Sequence, residues 1–288
     1  MKANKKRLSI KAQIRAEKER QRRIGTAIFT ALILIVVLFS AYFGYTLLSQ
    51  PQDQTLSQES SQPKAAIVDQ LSLTYPNQTF IEAATNILKQ AGYTVNYYPG
   101  EKVTVEFYRN LPTYGYKIII LRVHSAGFTP EGQSFVLSIF TSEPYSSTKY
   151  VYEQLTDQLG RNSYTRPGEP PFYFGILPEF VRSSMKGNFQ NAIIVMMGCD
   201  GMAYQFMAEA FTQKGAKAYI GWNASVSVSH TDTATISLLK HLITEKQTIK
   251  QAIDNIMKEV GPDPTYNSQL AYYPLNAGEC AIKNLEDT

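Results

Sequence analysis

A histidine and a cysteine end two apolar runs, and together they could carry out thiol chemistry. The first run, Lys117-Ile-Ile-Ile-Leu-Arg-Val-His124, is followed by Ser125-Ala126-Gly127. The second, Asn191-Ala-Ile-Ile-Val-Met-Met-Gly-Cys199, is followed by Asp200-Gly201. The thiolate is the nucleophilic form of cysteine, and a neighbouring imidazole can take the proton from sulfur. His124 and Cys199 are therefore the candidate catalytic pair of a cysteine hydrolase. Three scattered His and two distant Cys offer no metal-ligand spacing, so no metal is expected. There is no GxGxxG, no P-loop and no serine nucleophile elbow, and no cofactor is expected.

For the pair to meet, both runs must be strands pointing the same way. Short runs rich in β-branched residues with turn signals behind them read as buried strands of a parallel sheet. Parallel neighbours would bring His124 and Cys199 out at the carboxyl ends, where open α/β sheets place their ligands. Strand signals also cover Ala65–Asp69, Tyr93–Tyr98, Phe172–Leu177 and Lys217–Trp222, with an edge strand at Gln269–Tyr273 and a β-ribbon at Gln133–Thr141. Helical spacing covers Asn77–Gln90, Ser146–Leu159, Met202–Lys214, Thr231–Leu242 and Ile249–Val260, with Val103–Leu111 a short helix or loop. The alternation predicts a three-layer α/β/α sandwich around a mainly parallel sheet.

The segment Gly198-Cys199-Asp200-Gly201, then Ala208 through Gly215-Ala216 to Gly221-Trp222, then Asp232-Thr-Ala-Thr235, resembles the CHAT branch of the caspase-like cysteine peptidases. The upstream strand ending in His124 is similar to that family's other half. The resemblance covers about residues 115 to 255. It implies a caspase-like fold, Cys199 as nucleophile and His124 as acid and base. It also implies an oxyanion hole built from the backbone amides of Ser125 and Cys199. The family has Gly directly after the His, whereas here Ser125 stands there and Gly waits until Gly127. The long His-to-Cys spacing implies an insertion at Phe128–Ser184, and helical repeats common in CHAT proteins are absent. Family members set specificity with charged residues beside the Cys strand, which points to Asp232, Trp222 and Asp200 for substrate binding. A pocket acid would favour a basic side chain, with Glu143 an alternative.

Plainer readings stand beside these. A cysteine ending a buried strand can be a small core residue, and Cys199–Cys280 pairing is possible in an oxidising compartment. Asp232 can cap the following helix. His230 is a first-turn polar residue or part of the cleft, and His241 is expected on an exposed helix face.

The first 23 residues carry ten Lys/Arg and two Glu, and Ile24–Leu48 carries no charge. About 20 apolar residues span a bilayer, and a basic flank stays in the cytoplasm. The expected order is a cytoplasmic tail (1–23), one transmembrane helix (24–48), a polar tether (49–63) and an extracytoplasmic domain (64–288). A cleaved signal is the alternative. After residue 48 the balance is 18 Lys/Arg to 22 Asp/Glu, and no basic aromatic surface argues for nucleic acid. The sequons Asn77-Gln-Thr79 and Asn223-Ala-Ser225 fit an exterior domain. The expected function is a membrane-anchored extracytoplasmic cysteine endopeptidase. Its partners would be a protein or peptide substrate and membrane lipid around the helix. The alternative is an inactive caspase-like binding or sensor module.

Overall fold

The computed structural model describes residues 62–128, 136–164 and 169–282, and scattered positions between 19 and 43. The chain divides into two compact units, Met1–Ser60 and Ser61–Thr288. In the first unit the described positions are helical, with Arg23 paired to Glu19 at 3.1 Å. Among the described residues no helix is long and apolar enough to cross a membrane. The span expected at 24–48 and the tether expected at 49–63 both fall partly outside them.

In the second unit the strands are β1 (Lys64–Asp69), β2 (Thr94–Pro99), β3 (Tyr116–Arg122), β4 (Ser125–Phe128), β5 (Val136–Pro144), β6 (Leu159–Ser163), β7 (Phe172–Ile176), β8 (Ile193–Met196), β9 (Ala218–Trp222) and β10 (Leu270–Tyr273). The helices are α1 (Gln78–Gln90), α2 (Val105–Asn110), α3 (Val151–Leu155), α4 (Gln205–Gln213), α5 (Val228–Leu239) and α6 (Ile249–Glu259). Six strands form the main sheet in the order β10-β9-β8-β3-β1-β2. All its pairs are parallel except β9–β10, which makes β10 an antiparallel edge as expected for Gln269–Tyr273.

The apolar runs form central strands because both faces of the sheet are covered. One face (Ala65, Ile67, Ile118, Ile120, Val195, Ile220) packs on α1, α5 and α6. The other (Ala66, Val68, Ile119, Leu121, Ile194, Met196) packs on α2, α4 and a second sheet. Three helix starts have a side-chain cap, among them α1 and α6. Asn77 caps α1 by accepting from the Phe80 amide, and Thr248 with Gln251 forms a capping box on α6. Gly92, at φ 89°, follows the end of α1 in a conformation that glycine adopts at no steric cost.

The segment between the two apolar runs departs from the sequence reading. Its strands form a separate antiparallel sheet in the order β4-β5-β7-β6. The helix expected at Ser146–Leu159 shrinks to Val151–Leu155, flanked by Tyr150 (φ 51°) and Asp157 (φ 53°), and Leu159 opens β6 instead. Left-handed residues on both sides stop helix propagation.

Candidate active site

β3 and β8 are parallel neighbours paired through Leu121–Met196, and the Met197 amide donates to the Leu121 carbonyl. Three residues further on stand His124 and Cys199, at the same edge and in the same register. The main chains come close there: the Ser125 hydroxyl donates to the Cys199 carbonyl at 2.5 Å. A Cβ at Gly198 would collide with that hydroxyl and with the Val123 carbonyl oxygen. Glycine before the cysteine is thus required by close approach of two strand ends.

The cysteine lies on a sharp bend. Asp200 has φ 59°, in the left-handed region. Its amide donates to Ala224 at 3.0 Å, which ties the bend to the loop after β9. The sulfur is half-buried and 3.7 Å from the Val226 carbonyl. Burial pushes the Cys199 thiol up; the Val226 contact pulls the other way and the Asp200 charge adds to the rise. Burial also raises the Asp200 carboxyl.

His124 is held from several sides. Its amide donates to Gln70 Oε1 at 2.9 Å, and Gln70 Nε2 donates to the Tyr164 hydroxyl at 2.6 Å. The ring stacks on Tyr164 at 5.0 Å and meets Tyr75 edge-on at 6.0 Å. Nε2 lies 3.0 Å from Thr74 Oγ1, which leaves Nδ1 for proton transfer. Burial and the nearby Arg122 charge lower the imidazole to about 4. At neutral pH the ring and the thiol are therefore both neutral, each with a partner of its own.

Two backbone amides at these strand ends make no hydrogen bond among the described residues. The Phe140 amide donates to the His124 carbonyl, so Ser125 and Ile139 form a non-hydrogen-bonded pair. That leaves the Ser125 N–H on the open edge of β4. The Cys199 N–H has no partner among the described residues.

The proposed substrate-binding residues fare differently. Trp222 is buried at 1 % exposure and donates from Nε1 to Thr231 Oγ1, so it braces the core rather than lining a cleft. Asp232 is neither cap nor free pocket acid. α5 begins after Ser227, and both Asp232 oxygens bind Arg122, at 2.8 and 2.9 Å, with Asn77 Nδ2 also at 2.9 Å. A carboxylate so committed has nothing left for a substrate cation. Asp200 remains beside the sulfur. His230 Nε2 lies 3.1 Å from the Gly261 carbonyl. His241 is buried, against expectation, between Glu245 and Glu259. Cys199 and Cys280 are both free thiols. Glu143 is taken by Lys149 and Tyr150, well inside the insertion.

Sequence reasoning missed the buried cation. Arg122 is fully buried and bridges Asp69 (2.7 Å), Asp232 and the Tyr75 carbonyl, while Tyr97 donates to Asp69. Burial works against its charge, but the bonds to Asp232 and Asp69 outweigh it and hold the guanidinium's pKa above its usual value. The available signal was a lone Arg inside an apolar run, with Asp69 ending another. Thr74, Gln70 and Tyr164, which position His124, gave no comparable signal. Among the described residues no group of three or more His, Cys, Asp or Glu could hold a metal ion. No family model matches the chain, and no curated protein does either.

Proposed function

We propose that this chain is a cysteine endopeptidase of the caspase-like kind, anchored by residues 24–48 and cutting proteins or peptides outside the membrane. One observation carries the reading: parallel neighbours in register bring His124 and Cys199 to one edge, and the amides of Ser125 and Cys199 make no hydrogen bond among the described residues. On this reading the Cys199 sulfur attacks the scissile carbonyl carbon while its proton passes to His124 Nδ1. The amides of Ser125 and Cys199 hold the resulting oxyanion. The imidazolium gives its proton to the leaving amine as the C–N bond breaks, leaving a thioester. Water then attacks, with His124 as base, releasing the acid and restoring the thiol. Because ring and thiol are both neutral at rest, the proton moves only when a carbonyl is in place.

A second reading, an anchored module that binds without cutting, has its own support. Thr74 occupies Nε2, Val226 accepts from the sulfur, and the depressed imidazole and raised thiol both oppose a thiolate. Hydrolysis of a peptide library by the full-length protein decides between them. The endopeptidase reading expects cleavage that Cys199→Ala abolishes; no cleavage, or cleavage that survives this change, sinks it.

A further inference from the structure

The side chain of Ser125 bonds the main chain of the nucleophile's residue. We propose that the Ser125 hydroxyl is a positioning residue that clamps the Cys199–Asp200 peptide unit and so fixes the oxyanion hole. The inference rests on the endopeptidase reading. Both polar ends of that peptide unit are bonded, to opposite sides of the site. Its carbonyl accepts from Ser125 Oγ on the β3 side, and its N–H donates to Ala224 on the β9 side. With the plane held at both ends, the Cys199 ψ and the left-handed φ of Asp200 are set together. This sets the peptide plane that follows the cysteine and leaves the preceding peptide's N–H, that of Cys199, free to face the oxyanion.

The same bond couples the two oxyanion donors. One is the amide of Ser125 itself and the other the amide of Cys199, and the hydroxyl ties their residues across 74 positions of sequence. Ser125 is 8 % exposed, so water competes poorly for the hydroxyl. Its oxygen fills the space that Gly198 leaves by having no side chain. A serine in place of the glycine that the resemblance leads one to expect is then a working part: it trades backbone freedom after the histidine for a clamp on the cysteine.

The test is steady-state cleavage and iodoacetamide alkylation of Cys199 in full-length wild type, Ser125→Ala and Ser125→Thr. Displacement of iodide by sulfur builds no oxyanion, so alkylation reports the thiol alone. Ser125→Ala should lower kcat by about tenfold to a hundredfold, the scale of a small misplacement of reacting groups. KM and the alkylation rate should stay within about twofold, since neither uses the oxyanion hole. Ser125→Thr, which keeps the hydroxyl, should recover most of kcat. Wild-type kcat in Ser125→Ala, alkylation slowed in step with turnover, or a Thr variant as slow as Ala would each overturn the clamp while leaving the endopeptidase intact. A wild-type protein with no turnover would overturn both.

Discussion

Asp232 shows how a residue changes meaning once its partners are known. Read in sequence, it is a pocket acid or a helix cap; in the fold it is one arm of a buried ion cluster on Arg122. Breaking one partner of a buried pair leaves an uncompensated charge, at a cost of about 3–5 kcal/mol. Asp232→Asn should therefore lower stability to urea by about 3 kcal/mol without altering any cleavage preference. Unchanged stability with a changed preference would restore the pocket role. His124 gives a second residue-scale prediction. Its folded pKa, about 4, lies below the ordinary 6.5 because burial and Arg122 oppose its charge. The unfolded chain then binds the proton first, so this site's contribution to stability is lost as pH falls from 6.5 and levels off below about 4. The loss is at most about 3 kcal/mol at 1.36 kcal/mol per pKa unit. His241 acts with the opposite sign. Burial opposes its charge, but Glu259 and Glu245 raise its pKa, so its contribution is present below 6.5 and lost as pH rises through the raised value. Urea unfolding from pH 4 to 7 should show a shallower acid-side fall in His124→Ala than in wild type; parallel curves would contradict the assignment.

At the scale of elements, the site depends on two strand ends meeting without side-chain bulk between them. Gly198→Ala would push a methyl group into the Val123 carbonyl and the Ser125 hydroxyl. Backbone cannot yield as a flexible side chain does, so the expected cost is about 1–3 kcal/mol, with Cys199 displaced. Thermal unfolding and the alkylation rate of Cys199 check it; a neutral substitution would mean the strands are further apart than described. These elements were the legible part of the sequence. Ile118–Leu121 and Ile193–Met196 are continuous apolar runs because both faces of the sheet are covered, and continuity survives without knowledge of the partner. The insertion was less legible. Its strands carry Gly, Ser and Asn at buried positions, where Asn162 donates to the Ser138 hydroxyl against Gly175, and these break the apolar pattern; the left-handed Tyr150 and Asp157 are invisible to helical periodicity. The site itself was half legible. The His and Cys are marked by the ends of their runs, but the groups that orient them come from Gln70, Thr74, Tyr164 and Val226, set by tertiary contacts that no local pattern records.

At the scale of the whole molecule, the sequence places a strongly basic tail and an uncharged segment ahead of an acidic domain. If residues 24–48 span the membrane, full-length protein should pellet with membranes and resist alkaline extraction. Protease added outside intact cells should then reach the domain of residues 61–288. Release by alkaline wash, or protection of the domain from external protease, would contradict that topology. The domain has its own closed core on both sheet faces, so its chemistry should not depend on the tail.

The central claim is that Cys199 and His124 work together, and covalent labelling tests it most directly. Full-length protein is treated with a peptidyl acyloxymethyl ketone and the labelled cysteine identified by mass spectrometry. The account predicts labelling of Cys199 and not of the equally free Cys280, slowed by about tenfold or more in His124→Ala. Equal labelling of both cysteines, or a rate at Cys199 indifferent to His124, would contradict it and leave a domain that binds without cutting.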